Sequence, residues 1–115
     1  AGTVNLLVGT PRSLDDAALA SLLAVAIEAK AATLLAETGF PGTTTDAAIV
    51  GCDPEGEPST FAGSATTVGA AARACVREAV RASLRARYAD RELPGSVGEA
   101  EYGVSTDRRA EVFRP

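Results

Sequence analysis

One long stretch of the chain, residues 14–38, contains neither glycine nor proline. Alanine and leucine dominate it, and both are strong helix formers, so the stretch predicts a single long helix. At ~100° per residue the apolar side chains fall on one stripe, which consists of Leu19, Leu22, Leu23, Ala26, Ile27 and Leu34. Lys30, the only lysine of the chain, projects near the centre of that stripe.

Lys30 therefore needs an explanation. A lone ammonium that faces a core costs several kcal/mol unless a carboxylate or several oxygens meet it. We interpret Lys30 as part of a polar site, with Asp46 as the best counter-charge in the chain. The alternative is a frayed helix end from which the lysine reaches water.

Length and composition bound the remaining options. At 115 residues and 46% hydrophobic content, the chain predicts one globular domain. A net charge of −4 argues against nucleic acid or an anionic membrane as the main partner. No run of about eighteen apolar residues lacks charges, so no membrane span is expected.

Cysteine and histidine usage narrows the chemistry. Cys52 and Cys75 are isolated, and we expect both to be free, small, buried side chains in a reducing cytoplasm. The start of the chain shows no cleavable signal pattern and reads as the middle of a protein, so a fragment is expected. Without histidine, Ser-His-Asp and Cys-His catalysis and histidine metal sites are excluded, and neither a metal nor a cofactor is expected.

The pattern predicts the α/β class, with a layered mixed sheet, two long helices and the order strand-helix-strand-strand-helix. Ser13 is the expected N-cap of the first helix and Gly39 its stop signal. The predicted elements, in chain order, are a strand at 3–8, a helix to about 37, a fully covered strand at 47–52, a turn at 53–58, an antiparallel strand at 59–62, and a helix from about 66 to 89.

The second helix has a predicted inner face of small and apolar residues, namely Val68, Ala72, Cys75, Val76, Ala79, Val80 and Ser83. Its outer face carries a row of arginines, Arg73, Arg77, Arg81 and Arg85, which we interpret as solvated. The domain is expected to span residues 1–90, and residues 91–115 to form a polar, mobile tail.

Three polar clusters lie at the ends of these apolar elements. The first ends in Asn5, which is expected to be buried and hydrogen-bonded in its strand. The second is the threonine loop that leads to Asp46. The third, residues 63–69, opens the second helix, where free N–H groups favour an anion. Each has a plainer explanation, since threonine and serine cap helices and Asp46 can close its own loop.

These clusters resemble, in the same order, the adenosylcobinamide amidohydrolase family of corrinoid salvage. The residues that carry the resemblance are Gly2-Thr3-Val4-Asn5, Glu28-Ala29-Lys30, Gly42-Thr43-Thr44-Thr45-Asp46-Ala47, and Ala62-Gly63 with Thr66 and Gly69. The match covers residues 1 to about 88. Family members commonly have a glycine at the position of Thr44 and a lysine at that of Thr67, and they carry a further N-terminal half.

The resemblance implies hydrolysis of the amide that joins aminopropanol to adenosylcobinamide, which yields adenosylcobyric acid. It implies catalytic roles for Lys30, Asp46, Thr45 and Glu28, and substrate contacts by Thr3, Asn5, Thr43, Gly63, Thr66 and Gly69. Lys30 would stabilise an oxyanion or hold a carboxylate, Asp46 would act on water, and the threonine hydroxyls would attack or position.

Two other functions are open from the residues. One is a non-catalytic module that binds a corrinoid or another amide-rich ligand in the same pocket. The other is a small interaction domain, in which the alanine face of the first helix, including Ala24 and Ala31, makes a homo-oligomer contact.

Overall fold

A computed structural model describes residues 3–89 and 107–114 of the chain. Its elements follow the order strand, helix, strand, helix: β1 (Asn5–Thr10), α1 (Asp16–Thr38), β2 (Ala47–Cys52) and α2 (Thr67–Arg87). The predicted α/β class and both long helices are confirmed.

The two strands pair in parallel, with Asn5 opposite Ala47 and Thr10 opposite Cys52. This pairing follows from the long α1 crossover, because two adjacent parallel strands need a connection of a dozen residues or more. Both helices contact the strands, and they also pack on each other. The β2 bounds are those the sequence predicts, whereas β1 begins and ends two residues later.

The predicted antiparallel strand at 59–62 is wrong, and so is the mixed character of the sheet in the part of the chain described here. After the turn at Asp53, the chain passes alongside the segment at Ser13, in parallel, instead of returning along β2. Pro58 forms an isolated parallel bridge with Ser13, and the Ser59 N–H donates to the Ser13 carbonyl at 2.9 Å. Because proline has no N–H, this stretch is a poor partner for a full strand ladder.

The helix ends follow local capping chemistry. Asp15, not the predicted Ser13, caps α1, because its side chain accepts a hydrogen bond from the Ala18 N–H at 2.8 Å. Gly39 ends the helix as predicted, with a left-handed φ of 81° that a side chain would resist. Thr66 caps α2 in the same way as Asp15 caps α1, by accepting from the Gly69 N–H.

The core lies between the sheet and the two helices. Next to the carboxyl-end half of the strands, Leu22 and Val25 of α1 pack against Val68 and Ala72 of α2. Next to the amino-end half of the strands, Leu6 packs with side chains of both helices, including Ala26, Leu34, Val76 and Val80. The predicted α1 stripe is therefore correct at its centre but rotated, since Ile27 is 44% exposed.

The opposite face of the sheet is open, so β2 is not the fully covered strand that its composition predicts. Leu7 is 80% exposed and Ile49 is 66% exposed, and these two residues are paired across the strands. Asn5 is exposed on the same face, which corrects the expectation that its amide is buried. Cys75 is exposed and Cys52 is half-buried, whereas the sequence predicts both to be buried; both thiols are free.

By length and composition alone, α1 is apolar enough to cross a membrane. The same composition suits a core helix, and α1 packs on β2 and α2 in this fold. The expected tail, residues 91–115, falls largely on 91–106 and 115, which lie outside the described residues. Within 107–114 there is no regular secondary structure, and Val112 and Phe113 are exposed.

The packing at Leu22 gives a first prediction. Its side chain is fully enclosed (0% exposed), so Leu22→Ala should lower the free energy of unfolding by about 2–5 kcal/mol through lost burial and a cavity. Leu35→Ala is the control, because Leu35 lies on the same helix but is 55% exposed. Equal losses in chemical denaturation of the two variants would contradict this account of the core.

Candidate functional site at the amino edge of the sheet

Lys30 and Asp46 form the ion pair that the sequence predicts. The Lys30 Nζ lies 2.6 Å from Asp46 Oδ2, and the two side chains are 11% and 10% exposed. Lys30 is held within an unbroken helix that continues to Thr38, so the frayed-end alternative is wrong. The charge is buried because its partner is buried with it.

Asp46 joins three separate segments of the chain. A carboxylate offers about four lone-pair sites. Its Oδ1 accepts from the Val4 N–H at 3.0 Å and from the Thr43 hydroxyl, and its Oδ2 accepts from Lys30 and from the Thr43 N–H at 2.9 Å. The carboxylate is thus saturated by donors from α1, from the loop before β2 and from the residue before β1.

These contacts determine the charge state of Asp46. Burial raises the pKa of the Asp46 carboxyl, but the hydrogen bonds from Lys30, Thr43 and Val4 together outweigh it, and the pKa lies below its ordinary value. Asp46 is therefore ionised at neutral pH. A saturated carboxylate of low pKa orients its neighbours better than it accepts a proton.

Gly42 is required by the close approach of the loop to the ion pair. A Cβ at position 42 would lie 2.5 Å from Asp46 Oδ2 and 3.4 Å from the Lys30 Nζ. Any larger residue would therefore push the carboxylate away or displace the loop. The sequence marks this glycine only through its place directly before the threonine loop.

Thr3 and Thr45 place a pair of hydroxyl groups at the same edge. Their Oγ1 atoms are hydrogen-bonded to each other, and both residues are exposed. Thr45 directly precedes Asp46, and Thr3 directly precedes Val4, whose N–H binds the Asp46 carboxylate. The sequence-predicted residues Thr3, Lys30, Thr43, Thr45 and Asp46 thus come together at the amino end of the two strands.

Asn5 and Glu28 do not join this cluster through any hydrogen bond or ion pair among the described residues. Asn5 lies on the exposed sheet face. Glu28, two residues before Lys30, points away from it because residues i and i+2 of a helix do not share a face. It accepts a hydrogen bond from the Arg73 guanidinium at 2.6 Å on the exposed side of α1 and α2.

The predicted contacts Gly63, Thr66 and Gly69 form the N-terminal turn of α2. Thr66 accepts from the Gly69 N–H at 3.0 Å and donates to the Gly63 carbonyl at 2.7 Å. A Cβ on Gly69 would lie 2.0 Å from the Gly63 oxygen, so the glycine is needed for this turn. The turn follows the carboxyl end of β2, while Asp46 precedes its amino end, so the strands separate the two groups by roughly 20 Å.

Metal-binding side chains are present but do not cluster in the part of the chain that the structure describes. Within residues 3–89 and 107–114, no three Cys, Asp or Glu side chains are grouped so as to hold a metal ion. The chemistry that the cluster offers is that of an oriented ammonium beside exposed hydroxyl groups.

The family profile described as adenosylcobinamide amidohydrolase matches residues 1–92. A curated protein of Halobacterium salinarum named adenosylcobinamide amidohydrolase is 65% identical over 114 residues, which are 99% of this chain and 48% of that protein. The chain thus spans about half the length of this relative. No solved structure matches significantly.

Gly42 allows the contact between loop and ion pair to be tested. Gly42→Ala should lower the free energy of unfolding by about 1–3 kcal/mol, because the added methyl group overlaps the Asp46 carboxylate. Gly51→Ala is the matched control, since a Cβ there meets nothing within 4 Å. Equal effects of the two variants in urea denaturation would show that the loop does not need a glycine.

The lowered pKa of Asp46 predicts a pH dependence. An acid with a lower pKa in the folded state stabilises the fold above its ordinary pKa, and this stabilisation is lost as the pH falls through the folded-state pKa. The free energy of unfolding should therefore fall on the acid side of about pH 4. Asp46→Asn should weaken this dependence, whereas the exposed control Asp107→Asn should keep it.

At neutral pH, Asp46→Asn should lower the free energy of unfolding by about 3–5 kcal/mol, because the Lys30 charge loses its partner. The double variant Lys30→Met/Asp46→Asn should recover part of that loss. If the free energy of unfolding of Asp46→Asn, measured by denaturant titration, depended on pH as in the wild type, the acid-side loss of stability could not be assigned to Asp46.

Proposed function

The chain belongs to the adenosylcobinamide amidohydrolase family, and from that premise we propose that it hydrolyses the aminopropanol amide of adenosylcobinamide. In this reaction water adds to the amide carbonyl carbon, the C–N bond breaks, and the amine leaves with a proton. The products are adenosylcobyric acid and aminopropanol. The proposal assigns the reaction to corrinoid salvage and to the cytoplasm, in keeping with two free cysteines.

The buried Lys30–Asp46 pair is the observation that carries the proposal. Amide hydrolysis develops negative charge on the carbonyl oxygen, and a fixed positive donor at that oxygen lowers the barrier. An ammonium has three N–H donors, and among the described residues Lys30 directs one of them to Asp46. The others are the proposed donors to the oxyanion.

Asp46 is proposed to position Lys30 rather than to serve as the base. Its oxygens are saturated, and its pKa is lowered below the ordinary value by the Lys30, Thr43 and Val4 donors despite its burial. Neither property suits a group that must take a proton from water. The aspartate instead keeps the ammonium oriented before substrate arrives, and Thr43 keeps the aspartate in place.

Thr3 and Thr45 are the proposed hydroxyl contacts to substrate, because they lie exposed at the edge where the ion pair sits. Thr66, in contrast, uses its hydroxyl both as donor and as acceptor within the α2 cap. We therefore assign Gly63, Thr66 and Gly69 to the framework. The roles of Glu28 and Asn5 stay predictions from the sequence, because neither side chain bonds to Lys30, Asp46, Thr3 or Thr45 among the described residues.

The test is hydrolysis by Lys30→Met. The variant should form product at least about 10²-fold more slowly, as when an oxyanion donor is removed. Arg73→Met is the control, because it also removes a cation, but from an exposed ion pair with Glu28. Incubation with adenosylcobinamide, followed by chromatography for adenosylcobyric acid, measures both variants.

A spectral titration with the corrinoid separates hydrolysis from binding alone. Wild-type protein that responds to the corrinoid but forms no product would contradict the hydrolytic proposal and favour the binding module. Full activity in Lys30→Met with an unchanged circular dichroism spectrum would remove Lys30 from the mechanism.

A further inference from the structure

The sheet has a free edge that faces a groove. β2 pairs with one edge of β1, and no strand from residues 3–89 or 107–114 pairs with the other. Between this free edge and α2 lies a groove of about 610 Å³, with residues 3–9 forming one wall and α2 the other. We infer that this groove receives a further β-strand, which pairs with β1 beneath α2.

The backbone of β1 is oriented for such pairing. The Val4 and Thr10 carbonyls accept from β2-side N–H groups, at 3.0 Å from Ala47 and 3.2 Å from Asp53. In a parallel ladder alternate residues direct both backbone groups to the same neighbour. The N–H and C=O groups of Asn5, Leu7 and Gly9 therefore point to the groove.

β1 also lacks the features that protect an edge strand. Finished sheets place proline, charged side chains or bulges on their edges to prevent pairing with other strands. The β1 sequence, Asn-Leu-Leu-Val-Gly-Thr, contains no proline and no charge. A strand of this kind is typical of the middle of a sheet.

The α2 wall is shaped for a neighbouring backbone. Cys75, Ala79 and Ser83 line the groove and are exposed, although the helical pattern assigns them to the inner face. Small side chains at four-residue intervals leave room for a strand to pass beneath the helix. On α2, the residues that the pattern places inside but the structure exposes are therefore those that the inferred strand would cover.

The uncovered sheet face points the same way. Parallel strands are normally buried on both faces, and a two-stranded sheet is marginal by itself. Here Leu7 and Ile49 form an exposed apolar pair on that face. Both the edge and the face require more protein than the described residues supply.

The inferred occupant is the part of the family protein that corresponds to the half of the Halobacterium salinarum relative outside the match. This chain accounts for 48% of that relative, so the relative has a further segment of similar size. Such a segment is large enough to supply a strand beside β1 and to bury the exposed face of the sheet. The inference stands whether that segment belongs to the same polypeptide or to another, and it does not depend on the proposed hydrolysis.

Co-expression of this chain with the unmatched portion of that relative, each carrying a different tag, tests the inference. The two should purify as a one-to-one complex in size-exclusion chromatography with light scattering. Ala79→Arg places a long cation in the groove and should abolish the complex. Ala82→Arg is the matched control, because Ala82 is exposed on α2 outside the groove and should leave the complex intact.

Hydrogen exchange of the wild-type complex locates the contact without a variant. The amides of Asn5, Leu7 and Gly9 should exchange at least about tenfold more slowly in the complex than in the chain alone. Unchanged exchange at these amides, no complex with the wild-type chain, or an unaffected complex with a folded Ala79→Arg variant would each overturn the inference.

Two further results would also overturn it. If Ala79→Arg broke a homodimer of this chain instead, the occupant would be a second copy. If Ala79→Arg weakened the corrinoid spectral response and left the complex intact, the groove would be a ligand pocket.

Discussion

One buried carboxylate, that of Asp46, holds together the amino end of the sheet. Asp46 neutralises Lys30 of α1, accepts the Val4 N–H before β1, and closes its own loop through Thr43. Because a buried ammonium is tolerated only with such a partner, the position of α1 relative to both strands depends on this group. Gly42 completes the arrangement by leaving room for the carboxylate.

The polar groups at the two ends of the sheet are bonded differently. At the amino end, an ion pair and a pair of exposed hydroxyl groups meet, and the proposed reaction belongs there. At the carboxyl end, the polar groups bind each other: Thr66 caps α2, and Arg12 donates to the Glu57 and Pro58 carbonyls. This difference in hydrogen bonding is the basis on which the proposal separates site residues from framework residues.

The arginine row of α2 shows how neighbouring elements complete a local pattern. Arg73 and Arg81 bind Glu28 and Glu37 of α1 and so form an exposed seam between the two helices, whereas Arg77 pairs with Glu78 of its own helix. Exposed pairs of this kind contribute little to stability each. They do, however, show which partner Glu28 has: its carboxylate pairs with Arg73.

Local patterns along the chain predict the two helices, the two strands that pair in the structure, the Gly39 stop and the pairing of Lys30 with Asp46. These features follow from local propensity, capping chemistry and the cost of an unpaired buried charge, all of which are readable along the chain. Local patterns do not predict that the Val4 N–H reaches the Asp46 carboxylate, that Pro58 and Ser59 pair with Ser13, or that Leu7 and Ile49 are exposed. These features depend on which segments, far apart in sequence, come into contact in the fold. Local sequence patterns carry no information about such contacts.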